Sequence, residues 1–116
     1  MGTITHIELT SASPEATTRF YAEAFGWETT ASPFVPDYHV ADTGTGGGID
    51  AAIMSSSYQS QNTIMWIEVS DLDATIAAVE QAGGARAGDF HDLPGVGRVG
   101  YVTDPAGVVI GLKQPA

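Results

Sequence analysis

The chain has 116 residues, 43% of them apolar, which predicts one globular domain with a substantial core. Fourteen acidic residues against four basic ones give a formal charge of -10, which disfavours binding to nucleic acid or to a membrane. The sequence contains no cysteine, which excludes disulfides, cysteine-bound zinc and a thiol nucleophile. It shows no targeting or membrane-spanning segment, so we expect a cytoplasmic protein.

Two stretches of the sequence, residues 5–26 and 63–84, follow the same order of features. Each stretch predicts a short strand with alternating apolar residues, followed by a helix-capping residue and one helix. A glycine marks the end of that helix. A short chain that repeats half of itself is expected to consist of two copies of one supersecondary unit. The cleft between two such copies is the natural place for a ligand.

In the first copy, Ser13 and Pro14 form a typical helix start, and Gly26 a typical stop. An apolar stripe at helical spacing lies between them, and it consists of Ala16, Phe20 and Ala24, flanked by Tyr21 and Phe25. Strands are predicted at Ile4–Leu9, Trp27–Ala31, Tyr38–Asp42 and Ile49–Met54. The glycine-rich run at 43–48 joins two strands and is not followed by lysine, which favours a turn over a phosphate-binding loop.

In the second copy, Asp71 is expected to cap a helix that ends at Gly83 and Gly84. Its buried stripe is predicted to consist of Leu72, Ile76, Val79 and Ala82 or Gly83. Strands are predicted at Asn62–Val69, Arg98–Thr103 and Val108–Leu112, the last two as a hairpin around the turn at 104–107. His39 and His91 stand beside aspartates and are expected to lie in solvated loops.

The predicted fold is therefore α+β, with two tandem β-α-β-β-β units in one domain spanning residues 1–116. Unit one covers 1–55, a polar linker covers 56–61, and unit two covers 62–116.

This plan resembles the vicinal oxygen chelate superfamily, which includes glyoxalase I, bleomycin-resistance proteins and extradiol dioxygenases. The resemblance covers almost the whole chain. Its carriers are 6–9 (HIEL), 20–21 (FY), 25–27 (FGW), 67–74 (IEVSDLDA), 83–84 (GG) and 101–107 (YVTDPAG). It implies that the two units form a curled mixed sheet enclosing a pocket, and that the protein is a homodimer.

In metal-using members of the superfamily, the first and last strands of each unit supply the ligands. The resemblance places these positions on His6, near Asp50, on Ile64 and on Gly111. Ile64 and Gly111 cannot bind a metal, and a catalytic metal usually needs about three protein ligands. We therefore expect no cofactor and a metal-independent branch of the superfamily; if a divalent metal binds, His6 and Asp50 are the candidate ligands.

Strand alternation predicts which side chains share the pocket face. His6 lies on the same face as Glu8, and the two are candidate catalytic residues that could work as an acid–base pair. Trp66 could stack on a planar ligand, and Gly111 leaves space for a ligand to approach the backbone. The full set of expected ligand-binding residues is His6, Glu8, Tyr38, Met54, Trp66, Glu68, Tyr101 and Gly111.

The sequence leaves three functions open. The first is a protein that binds and sequesters a small organic compound, aromatic for instance, or acts on it as a metal-free enzyme. The second is a metal-dependent glyoxalase-like lyase, isomerase or dioxygenase. The third is a structural module whose cavity is filled by its own side chains.

Overall fold

The computed structural model describes residues 2–44 and 48–116. Within them the chain forms β1 Thr3–Ser11, α1 Pro14–Phe25, β2 Glu28–Ala31, β3 Tyr38–Asp42, β4 Asp50–Ser55, β5 Thr63–Glu68, α2 Leu72–Gln81, β6 Ala85–Arg86, β7 His91–Leu93, β8 Gly97–Thr103 and β9 Val109–Pro115. The predicted α+β class is confirmed. Neither helix in this part of the chain is long and apolar enough to cross a bilayer. The turn predicted at 43–48 lies partly outside the described residues, since 45–47 are not among them.

The chain folds as two compact units. Residues 6–64 form the first, and residues 2–5 together with 65–116 form the second. This division differs from the one predicted from the repeat, because the first residues of the chain cluster with the second unit. Gly2, for example, packs against Ile67 and Val69.

Each unit forms one mixed sheet, in agreement with the mixed sheet that the resemblance implies. In residues 6–64 the strand order is β2-β3-β4-β1, and β1 pairs with β4 in parallel. In the second unit the order is β6-β8-β9-β5, and β5 pairs with β9 in parallel. The remaining pairs are antiparallel, so each unit is a mixed sheet whose first and last strands are neighbours.

Helix α2 packs one face on the sheet of its unit, as predicted. Leu72 and Ile76 are buried together with Val69, Val102 and Leu112, and Val79 packs against this cluster. Asp71 caps the helix by accepting a 3.1 Å hydrogen bond from the backbone N–H of Ala74. The predicted extension of the buried stripe was wrong: the helix ends at Gln81, and Ala82 and Gly83 are exposed beyond it.

Helix α1 begins and ends where the sequence predicted, but its apolar stripe is not buried. Gly26 adopts the left-handed conformation (φ 74°) and its N–H bonds to the carbonyl of Ala22 at 2.9 Å. The N-terminus of the helix has no side-chain cap, because the hydroxyl of Ser13 makes no capping hydrogen bond. No residue of the helix is buried, and the apolar stripe Ala16, Phe20 and Ala24 is exposed.

Two short strands, β6 and β7, were not predicted. Each pairs with β8 through only two or three residues. Both histidines expected in loops lie on strands: His91 is on β7 opposite Val99, and His39 is on β3 opposite Ile53, within the strand predicted at Tyr38–Asp42. Segments this short carry no apolar alternation that would distinguish them from loops.

Candidate functional site

In the unit of residues 6–64, the strand register brings several predicted site residues onto one sheet face. His6 lies beside Asp50, and Thr10 lies beside Met54. Tyr38 is the neighbour of Met54 on the other side. Residues that are direct neighbours across strands project to the same face. We call this the polar face, and it carries His6, Glu8, Tyr38, Asp50 and Met54.

Glu8 is the central residue of the polar face. Its side chain is only 1% exposed, and it is the one buried polar or charged residue in the described part of the chain. The hydroxyl of Tyr38 donates a 2.6 Å hydrogen bond to Oε2 of Glu8. A bond this short is typical of a hydroxyl held by a carboxylate. Since burying a carboxyl group is costly without a partner, the bond to Tyr38 offsets part of that cost.

His6 and Tyr38 are the half-buried members of the polar face, so each keeps part of its side chain accessible. Met54 is buried beside Tyr38 and forms an apolar wall. Sequence alternation correctly placed His6 and Glu8 on one face, but it gave no sign that Tyr38 bonds to Glu8. That contact depends on β3 lying next to β4 and β4 next to β1, which is a property of the sheet order.

The residues present do not fit a divalent metal centre. The register does put Asp50 beside His6, which supplies two donors. However, Asp50 is exposed, and its Oδ1 accepts a long 3.4 Å bond from the N–H of Thr43. Ile64 is fully buried and has no donor atom. Across residues 2–44 and 48–116, no group of three or more histidine, cysteine, aspartate or glutamate residues could hold a metal ion.

In the second unit, Trp66 dominates the corresponding sheet face. Trp66, Gly111 and Tyr101 are neighbours on β5, β9 and β8. A Cβ atom added at Gly111 would overlap the indole ring of Trp66. The ring also packs on Tyr101, with 5.2 Å between the ring centres. The sequence predicted open space over Gly111; instead, the indole fills it.

The remaining predicted residues of the second unit are less enclosed. Trp66 itself is 8% exposed, which leaves little of its ring for stacking on a ligand, whereas Tyr101 is half-buried. Glu68 is half-buried and lies beside Lys113 on β9. It also lines a cleft of about 350 Å³ whose other walls are Thr3, Val69, Ser70, Gln114 and Pro115. The unit thus combines an aromatic wall with a cleft that contains the carboxyl group of Glu68.

Comparison with known proteins agrees with this architecture. The sequence model of the glyoxalase-like domain family matches residues 6–112 of this chain. The chain belongs to the glyoxalase-like domain family. CFP32 of Mycobacterium bovis and of Mycobacterium tuberculosis, which carries a provisional name as a glyoxylase, is 28% identical over 119 residues. The alignment covers 97% of this chain and 46% of CFP32, so the chain spans about half the length of these relatives.

Solved structures of other proteins share the fold. Methylmalonyl-CoA epimerase from Mycobacterium tuberculosis superposes with a TM-score of 0.74 at 17% identity, covering 97% of this chain and 87% of the epimerase. A glyoxalase/bleomycin resistance protein/dioxygenase superfamily member from Vibrio splendidus gives 0.69 at 15% identity, covering 98% and 99%. At these identities the structural similarity shows the fold alone, so the chemistry has to be inferred from the residues of the site.

Proposed function

We propose that this protein binds a small organic molecule on its polar face, without a tightly bound metal. The observation that carries this proposal is the buried carboxyl group of Glu8, held at 2.6 Å by the hydroxyl of Tyr38. A carboxyl group at such a position costs stability that an apolar residue would not cost. Its presence beside the half-buried His6 and Tyr38 is best explained by a role in recognition.

In this proposal, the ligand contacts the accessible parts of His6 and Tyr38. The bond to Glu8 fixes the hydroxyl of Tyr38, so the phenol oxygen is oriented before the ligand arrives. Preorganised polar groups of this kind bind without the entropy cost of ordering them. Met54 supplies the adjacent apolar contact, in agreement with small-molecule sites that combine apolar walls with a few polar groups.

The donor set supports the metal-free form of the proposal. Two adjacent donors, His6 and Asp50, fall short of the three protein ligands that a catalytic divalent metal usually needs. The other two positions that the superfamily resemblance assigned to ligands are Ile64, which is buried, and Gly111, which is covered by an indole ring.

Binding is tested by screening a compound library for shifts in melting temperature. Both aromatic and aliphatic compounds belong in it, because the sequence allows an aromatic ligand as one case while Trp66 exposes little of its ring. Each hit is then measured against Glu8→Gln and against Glu80→Gln, which changes an exposed glutamate on α2. We expect Glu8→Gln to weaken binding by about tenfold, because Tyr38 then loses the charge-assisted bond that fixes its hydroxyl, and Glu80→Gln to leave binding unchanged. A library that produces no hits would favour the structural module.

A metal-free enzyme is the second candidate, and the position of Glu8 favours it. A buried carboxylate that has His6 two residues away on the same strand face is suited to move a proton to or from a bound ligand. The test is incubation of each hit with the protein in deuterated water, followed by mass spectrometry. Deuterium uptake that Glu8→Gln abolishes supports proton transfer, whereas binding without exchange or conversion supports sequestration.

A further inference from the structure

The cleft beside Glu68 is a concave surface formed by residues of the second unit. Its volume of about 350 Å³ lies in the range of small-molecule sites. One side is the connection from β5 to α2, residues 68–70, and the other is the end of β9, Gln114 and Pro115. Thr3 completes the wall. None of these residues belongs to the polar face, so a ligand bound in the cleft would be additional to the one proposed above.

Two hydrogen bonds hold the sides of the cleft together. The backbone N–H of Val69 donates to the carbonyl of Lys113 at 2.8 Å. The backbone N–H of Leu72 donates to Oε1 of Gln114 at 2.7 Å. Val69 also belongs to the buried cluster that includes Leu72, so this side of the cleft is anchored in the core. The cleft is therefore formed before a ligand arrives, which reduces the entropy cost of binding.

Glu68 provides the charge of the cleft. Its side chain is half-buried, and within residues 2–44 and 48–116 it makes no hydrogen bond or ion pair. Lys113 is its direct neighbour on β9, but the two side chains do not form an ion pair. A partly desolvated carboxylate is stabilised by a positively charged partner, and a ligand can supply one.

The uncharged groups of the cleft add hydrogen-bonding and apolar contacts. Oε1 of Gln114 is occupied by the N–H of Leu72, so its amide NH₂ group remains to donate. The hydroxyls of Thr3 and Ser70 can donate or accept, and both residues are exposed. Pro115 offers an apolar contact. Neither lysine nor arginine is among the described residues that line the cleft, so an anion would find no positive side chain there.

We propose that this cleft binds a small organic cation, an alkylammonium or alkylguanidinium, through the carboxylate of Glu68. The N–H groups of the cation donate to the carboxylate, and such charge-assisted bonds are stronger than those between neutral groups. The alkyl chain packs on Pro115 and Val69. The formal charge of -10 raises the concentration of cations near the protein and so favours their encounter with the cleft.

The first experiment is an NMR titration of the wild-type chain at physiological ionic strength with probes of similar length. Butylammonium and butylguanidinium carry the proposed charge, whereas butanoate and butan-1-ol are the negative and neutral controls. We expect both cations to shift the backbone amide signals of residues 68–70 and 114 in a saturable way, and both controls to leave them unchanged. Equal shifts from butanoate, or cation-induced shifts only outside the cleft, would overturn the proposal.

The second experiment separates the cleft from a general attraction of cations to an acidic protein. Glu68→Gln removes the carboxylate of the cleft, and Glu80→Gln removes an exposed glutamate of α2, so both variants change the net charge equally. The affinity for butylammonium should fall by at least about tenfold in Glu68→Gln, since the charge-assisted bond is lost, and stay unchanged in Glu80→Gln. An equal loss in both variants would show an adventitious attraction only and would refute a specific site.

Lys113 supplies a test of opposite sign. Because it is the neighbour of Glu68 in the sheet, Lys113→Gln removes a charge that repels the ligand and should tighten butylammonium binding by about threefold. Arg86→Gln, at an exposed position of β6, changes the net charge by the same amount and should have no such effect. Equal or weaker binding to Lys113→Gln would contradict Glu68 as the acceptor. His6→Ala should leave butylammonium binding unchanged, so failure of this cleft and failure of the polar face remain distinguishable.

Discussion

The indole ring of Trp66 lies over the backbone of Gly111 on the adjacent strand, at the position where the superfamily resemblance placed a metal ligand. The two residues are direct neighbours in the parallel pair of β5 and β9. The glycine is required by packing, since any side chain there would overlap the ring. The tryptophan therefore takes the space that a coordinating side chain would need.

Gly111→Ala is expected to destabilise the protein by about 1–3 kcal/mol, the usual cost of overpacking a core. Gly48→Ala is the control, because a Cβ there would be in ordinary contact with Thr43. In a Trp66→Leu background the same alanine should cost less, since the smaller side chain makes room. Urea unfolding of the four variants measures these differences. Equal costs for Gly111→Ala and Gly48→Ala would mean that the ring moves aside freely.

Tyr38→Phe should lower stability by about 1–3 kcal/mol, because it removes the hydroxyl that bonds to the buried carboxyl of Glu8. Tyr58→Phe is the matched control. It also removes a hydroxyl with a 2.6 Å bond, to the carbonyl of Pro36, but at an exposed site where water can replace it. Thermal and urea unfolding compare the two variants. A similar small loss for both would show that Glu8 does not depend on Tyr38.

His6→Ala is expected to weaken the binding of any hit from the compound screen while the fold survives. The histidine is half-buried on the polar face, so its removal leaves no large cavity. Isothermal titration measures affinity, and circular dichroism with a melting curve reports on the fold. His91→Ala, on an exposed strand position of the second unit, is the control. Unchanged affinity for His6→Ala would remove His6 from the site.

Metal content should be far below one ion per chain in protein purified without a metal-affinity tag. The reason is the donor set, since His6 and Asp50 are too few to hold a catalytic ion tightly. Elemental analysis measures this, and added zinc, nickel or manganese should leave the melting temperature unchanged. Stoichiometric metal that disappears in His6→Ala would restore the metal-dependent lyase or dioxygenase as the leading function.

Much of the fold could be read from the sequence because local signals and tertiary packing agree there. The cap and the buried face of α2 were predicted correctly from Asp71, Leu72 and Ile76. The alternation of β1 also placed His6 and Glu8 on one face. These predictions depend only on the spacing of residues within one element, and spacing is visible in the sequence.

The errors share a different cause, because each concerns contacts between elements. The stripe around Phe20 has the spacing of a buried face, yet it is exposed, since spacing shows which residues share a helix face but not what packs against that face. From the sequence, Gly111 indicates open space, but in the structure the ring of Trp66 fills that space. The bond between Tyr38 and Glu8 joins residues thirty positions apart and needs the strand order to be known. Sequence spacing therefore predicts which residues share a face better than it predicts the contacts between strands.

The division of the chain has a practical consequence for anyone who wishes to separate the two repeats. Residues 2–5 belong with residues 65–116, and Gly2 fits closely against Ile67 there. A protease cut between 56 and 61 would thus leave the C-terminal fragment without residues 2–5, which cluster with it. Separate halves would recombine best if residues 2–5 were joined to the C-terminal half, for example in a circularly permuted chain.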